Sequence, residues 1–199
     1  TFKFLSVSPS QVPLAPTPAK LTTSGIGDID IRARYNLLNE EGYVVSAGML
    51  LGIPSGDSKK TSGLILGDGE FNVAPGLLLG RSFYPIPAYA SVDFAYDFRG
   101  SAFSNEFLYN IEFGYGLLES KLYFILLLSG KESTSSVPSK AAASAYGLST
   151  NNQEFTAIIP KALYKFSGGW GASLSFATAT HGRNIAGGFV FAGSVFHEF

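Results

Sequence analysis

Residues 28–38, DIDIRARYNLL, alternate polar and apolar side chains at a strict period of two. Asp28, Asp30, Arg32, Arg34 and Asn36 hold one parity, and Ile29, Ile31, Ala33, Tyr35 and Leu37 hold the other. Successive side chains of a strand point to opposite faces, so this segment reads as a strand with one wet and one greasy side. A helix would scatter both sets around its circumference. Residues 105–117 repeat the pattern: Phe107, Tyr109, Ile111, Phe113, Tyr115 and Leu117 oppose Glu106, Asn110, Glu112, Gly114 and Gly116, with Leu108 the exception. Residues 89–99 do so again, with Val92, Phe94, Tyr96 and Phe98 against Ser91, Asp93, Asp97 and Arg99. Weaker strands are expected at 41–53, 71–83, 122–129, 155–166, 170–178 and 188–199, and a short one at 1–8. The sum is about ten strands in one all-β domain spanning residues 1–199.

Composition decides what surrounds such a sheet. Charged residues make up 15% of the chain, against about 25% in an ordinary soluble domain. Aromatic residues reach 14% and there are 23 glycines. A membrane-spanning helix needs about 20 consecutive apolar residues. The longest clean run here is LYFILLL, residues 122–128. Hydrophobicity spread over alternate positions points instead to a transmembrane antiparallel up-and-down β-barrel. A soluble sandwich or lipocalin-like barrel also alternates, but its outer face carries a denser mixture of Lys and Glu. Here the apolar parity is aromatic and almost free of charge. A net charge of −1 gives no sign of a nucleic-acid partner. The absence of cysteine excludes a disulfide scaffold and fits passage through an oxidising periplasm. The chain opens on Thr1 with no visible signal peptide, as a processed or truncated product would.

Connections sort by length. Segments 8–27, 54–69 and 130–152 are long, 100–104 and 179–187 moderate, and 39–41, 84–87, 119–121 and 167–169 short. Every second connection is short, which places tight turns at one end and longer loops at the other, with both termini on the tight-turn side. Outer-membrane barrels have this asymmetry. The expected location is therefore the bacterial outer membrane, with membrane lipid and lipopolysaccharide around the wall. The chain ends on the aromatic Phe199, which resembles the C-terminal assembly signal of such barrels and implies the barrel-assembly machinery as a partner.

SGIGDIDIRARYNLL (residues 24–38), GIPSGD (52–57), FNVAPGLLLGRSF (71–83) and FAYDFRG (94–100) together resemble the outer-membrane proteins named for the meta-pathway of phenol degradation. The shared features are a G-x-G-D strand start, a tyrosine-closed strand, a P-x-G-D loop entry and an aromatic strand end before Arg. The likeness runs from about Ser24 to Phe199. It implies an outer-membrane barrel that passes small, often aromatic or hydrophobic, compounds. Members usually carry more chain before the G-x-G-D strand, so the resemblance also implies up to twelve strands in an intact barrel.

The inward parity supplies the candidate solute pathway: Asp28, Asp30, Arg32, Arg34, Asn36, Asp93, Asp97, Arg99, Glu106, Asn110 and Glu112. Two roles fit these residues. One is an ion-pair network that fills and stiffens a small barrel, since buried charges need partners. The other is a polar constriction that orients a permeant solute. Inward glycines such as Gly48, Gly76 and Gly114 leave room for a narrow conduit. Tyr35, Tyr43, Phe83, Tyr84, Phe98, Phe103 and Trp170 are expected in the aromatic girdles at the membrane interfaces.

Signals for catalysis are thin. His181 lies in an expected loop and His197 near the end of the last strand. A nucleophilic site would need a hydroxyl such as Ser173 or Ser175 within reach of His181. Neither a catalytic residue, a metal site nor a cofactor is expected. Three readings stand: a channel for passive passage of small solutes, a closed-lumen barrel meeting a partner protein through its long loops, and a lipid-modifying enzyme.

Overall fold

The computed structural model describes residues 25–56, 66–67, 69–100, 103–134, 152–185 and 188–198. Nine strands are present among them: β1 (Ile29–Glu40), β2 (Tyr43–Ile53), β3 (Asn72–Ser82), β4 (Ala88–Asp97), β5 (Glu106–Leu117), β6 (Leu122–Ser133), β7 (Glu154–Lys165), β8 (Trp170–Arg183) and β9 (Phe189–His197). They form a single sheet in sequence order, and every neighbouring pair is antiparallel. This is the up-and-down order expected from the alternation. The expected strand at 1–8 and the terminal Phe199 lie outside the described residues. β1 and β9 are the two edges of the sheet, and every residue of β1 is exposed. No helix among the described residues is long and apolar enough to cross a membrane, which says nothing of strands.

The tightest hairpin shows how local sequence sets register. Glu40 faces Tyr43, so the β1–β2 turn is Glu41-Gly42 alone. Both residues have positive φ, 49° and 81°. Two-residue hairpins need this left-handed pair to match the twist of their strands, and glycine at the second position adopts it without a Cβ clash. The β5–β6 connection likewise carries positive φ at Leu118, Glu119 and Ser120, and the β7–β8 connection at Gly168 and Gly169.

The sheet has a sorted pair of faces. One carries Phe107, Ile111, Phe113 and Tyr115 of β5, Phe124 and Leu126 of β6, and Leu174 of β8, all exposed. The other carries Glu106, Asn110 and Glu112 of β5, which are buried or half-buried. The polar face is curled inward. Arg34 of β1 reaches Asp93 of β4 at 3.2 Å across two intervening strands. Four strands on a flat sheet span about 14 Å between the outer two, more than those side chains bridge. The residues beneath are small: Arg34 faces Gly48, and Gly48 faces Gly76.

Cross-strand packing uses rings laid over glycine. A Cβ added at Gly114 would collide with the Tyr89 ring, and one at Gly130 with the Tyr109 ring. The Tyr89 ring is held there by its hydroxyl, which donates to Glu112 Oε1 at 2.6 Å. So the space left by Gly114, expected to widen a conduit, is filled by Tyr89.

Candidate functional site on the polar face

Three groups of side chains occupy the polar face. The first sits at the long-loop end, where β4 finishes and β5 begins. Arg99 Nη1 donates to Glu106 Oε1 at 2.8 Å, and Lys131 Nζ to Glu106 Oε2 at 3.0 Å. The Arg99 and Glu106 side chains are only 4% and 3% exposed. Asp97, buried at the end of β4, faces Glu106 across the strand pair. Two cations and two carboxylates therefore share one nearly dry corner, which is the arrangement that buried charge requires. The Arg99 guanidinium also lies 4.4 Å over the Phe103 ring.

Loop ties surround this corner. Asn152 Oδ1 accepts from Ser104 Oγ at 2.6 Å and from Ser133 Oγ at 3.2 Å, and its carbonyl accepts from Asn184 Nδ2 at 3.0 Å. One asparagine thus joins the β4–β5, β6–β7 and β8–β9 connections. Asn105 Oδ1 accepts from the Arg99 amide at 3.0 Å, and Arg183 pairs with Glu154.

The second group lies at mid-sheet. Beside the Arg34–Asp93 pair, Ser46 Oγ donates to Asn36 Oδ1 at 2.6 Å, and Asn110 faces Asp93 across β4–β5. The Tyr89–Glu112 bond lies nearer the tight turns. The Arg34 and Asp93 side chains are 54% and 31% exposed, in contrast to the dry corner. Asp30 and Arg32 stand on the same face of β1 and make no hydrogen bond or ion pair among the described residues. The third group, at the tight-turn end, is the exposed Lys165–Glu198 pair at 2.9 Å.

The expected pathway residues thus divide. Asp30, Arg32, Arg34, Asn36, Asp93, Asp97, Arg99, Glu106, Asn110 and Glu112 share the polar face or its rim. Asp28 precedes β1 and holds a loop instead, accepting from the Gly56 amide at 2.9 Å. Lys131, Tyr89, Glu154, Arg183 and Asn152 join these groups without having been expected. The signal for Lys131 was present: Leu127, Ser129, Lys131 and Ser133 continue one parity of β6 beyond residue 129.

Of the expected girdle residues, Tyr43, Phe83 and Trp170 lie at the tight-turn end. The Arg81 guanidinium covers the Tyr43 ring at 4.6 Å and approaches the Phe83 ring at 5.6 Å. Trp170 meets the His197 ring edge-on at 4.8 Å. Tyr84 is exposed in the β3–β4 connection, and Phe98 packs on Tyr96 at the long-loop end. Two placements differ. Tyr35 lies in the middle of β1 opposite Ala47, not at a rim. Phe103 is buried beneath Arg99, because a cation in a dry corner gains from an aromatic face.

The Ser–His contact is not formed. Ser173 Oγ is 2.7 Å from Ser194 Oγ, whereas His181 faces Thr156 at the other end of β8. Along a strand, Ser173 and Ser175 stand about 20–26 Å from His181.

The described residues form a nine-stranded antiparallel meander with one charged face and one aromatic face, which places the chain in the class of all-β up-and-down sheets. A family model described as "Putative MetA-pathway of phenol degradation" matches residues 8–194, and the chain belongs to that family. No curated protein matches the chain.

Proposed function

We propose that this sheet closes into an outer-membrane β-barrel that passes small solutes without energy coupling, hydrophobic or aromatic ones included. The observation that carries the reading is the sorting of the faces. Phe124, Leu174 and Phe191 are 54%, 73% and 80% exposed on one side, while ion pairs and hydrogen bonds line the other. A contiguous apolar surface of this extent is rare on a soluble monomer and suits lipid. Closure needs the two edges of the described sheet, β1 and β9, to be paired. The curl recorded by Arg34 and Asp93 supports closure toward the polar face. The family's link to phenol degradation supports small aromatic compounds as the solute class. In this reading lipid and lipopolysaccharide surround the wall, and barrel-assembly machinery inserts it.

The test is conductance of refolded protein in a planar bilayer, with Arg34→Ala beside the wild type and heat-modifiable gel mobility as the folding check. Discrete steps whose size changes with the substitution are expected. A folded, inserted barrel that is silent to ions refutes an ion-conducting lumen. That silence supports the second reading, a closed barrel whose long loops meet a partner protein. The dry Arg99–Glu106–Lys131 corner, at the end of the sheet where the long connections begin, is the observation that favours it.

A further inference from the structure

The apolar face is not uniformly smooth. A groove of about 760 Å³ runs along it. Tyr115 and Phe124 form one wall, Leu174, Phe176 and Phe191 the other, and Pro160 and Ala162 of β7 floor it. The floor is one strand thick, so Lys161 and Ser175, whose side chains belong to the opposite parity, border it as well.

Beneath the groove the β7–β8 ladder is interrupted. Ile158 pairs with Thr178 and Lys161 with Ser175, but Ile159 and Pro160 pair with nothing on β8. On the other side Pro160 pairs normally with Leu126 of β6. Proline has no N–H to donate and is rare in a central strand for that reason. The one-sided gap is what a missing donor facing β8 produces. A register shift at Thr156/Ala157 lies three residues away on the same seam. By contrast, β5 and β6 are paired at every residue from Glu106 to Leu117. The interruption of the β7–β8 ladder and the apolar groove therefore coincide.

We propose that the β7–β8 seam at Pro160 is a lateral port, through which small neutral apolar molecules pass between the groove and the polar face. The aromatic walls collect such a molecule, and the missing hydrogen bond lowers the cost of parting the two strands there. The proposal rests on the barrel reading above. It adds a route separate from the axial path of ions.

The chain has no cysteine, so a staple is easy to read. By the register of the flanking pairs, Ile159 stands opposite Ala177. The variant Ile159→Cys/Ala177→Cys is expressed in intact cells with a lipopolysaccharide outer membrane, and uptake of N-phenyl-1-naphthylamine is followed with and without reductant. Oxidation is expected to abolish the uptake that the protein adds, and reductant to restore it, with bilayer ion conductance the same in both states. A second variant, Pro160→Ala, restores the donor without a cross-link. It should lower uptake about fivefold, the population change that one net hydrogen bond makes. Uptake that is unaffected by either change in a heat-modifiable, folded barrel overturns the port. So does uptake that falls together with conductance, because both then share the axial route. Absence of conductance in every variant, wild type included, counts against the channel reading instead.

Discussion

Glu106 is the residue on which the long-loop end of the sheet turns. Its two oxygens receive Arg99 at 2.8 Å and Lys131 at 3.0 Å, and its own side chain is 3% exposed. Replacing Glu106 with Ala leaves the Arg99 guanidinium and the Lys131 ammonium in a corner that water scarcely reaches. Removing one partner of a buried pair typically costs about 3–5 kcal/mol, because the remaining charge is left uncompensated. Asp97 stays nearby and offsets part of this, so the lower end of that range is expected. The exposed Lys165–Glu198 pair provides the control. Its side chains are 38% and 59% exposed, and such pairs contribute about 0–1 kcal/mol. Glu106→Ala and Glu198→Ala should therefore differ by about 2–3 kcal/mol although each deletes a single carboxylate. The assay is reversible guanidinium unfolding in lipid vesicles, followed by Trp170, the only tryptophan in the chain. Equal losses in the two variants, or a Glu106→Ala loss below about 1 kcal/mol, would refute the claim that the corner is dry and mutually compensated.

Gly42→Ala places a Cβ at φ +81° and 3.1 Å from the Ser82 carbonyl oxygen. The left-handed backbone alone costs about 1–2 kcal/mol for a residue with a Cβ, measured in the same unfolding experiment. Gly114→Ala drives a methyl into the Tyr89 ring and should break its hydrogen bond to Glu112. Overpacking of this kind costs about 1–3 kcal/mol, and the companion Tyr89→Ala/Gly114→Ala should recover part of it, which a double-mutant cycle measures. Arg34→Ala removes a half-exposed pair and should change stability by less than about 1 kcal/mol, read by the same unfolding midpoint.

Most of the strand pattern was legible because period-two alternation is a local property. The sequence reading of 28–38, 71–83 and 105–117 meets β1, β3 and β5 to within about two residues. It stops short at β6, where Gly130, Lys131, Glu132 and Ser133 look like a loop by composition yet continue the strand. Their pairing with residues 106–109 of β5 extends it. The same happens at the end of β8, where a bulge opposite Thr156/Ala157 shifts the register and carries the strand on to Arg183. Which residues share the polar face was also legible. Which of them touch was not. Arg34 and Asp93 meet only because the sheet curls over Gly48 and Gly76. Phe103 leaves the girdle because the Arg99 guanidinium, four residues earlier in the same connection, covers it. The first is a tertiary outcome, the second a loop conformation, and strand periodicity encodes neither.

The two ends of the sheet are held together by different physics, and this separates stability from passage. At the tight-turn end the backbone closes the hairpin by itself, as the positive φ pair at Glu41 and Gly42 does. Charges there stay exposed and contribute little. At the other end the β2–β3 and β6–β7 connections are long, and no two-residue turn closes any of the pairs. Side chains take over: Asn152 ties three connections, and Glu106 binds Arg99 of the β4–β5 connection and Lys131 of β6. The mid-sheet Arg34–Asp93 pair belongs to neither end, and it is solvated on the polar face. Perturbing the loop-end corner should therefore lower the unfolding midpoint, whereas perturbing Arg34 should alter conductance with the midpoint almost fixed. If Arg34→Ala instead destabilises as much as Glu106→Ala, the mid-sheet charges hold the sheet curled as girders, and the polar face is a packed interior rather than a path.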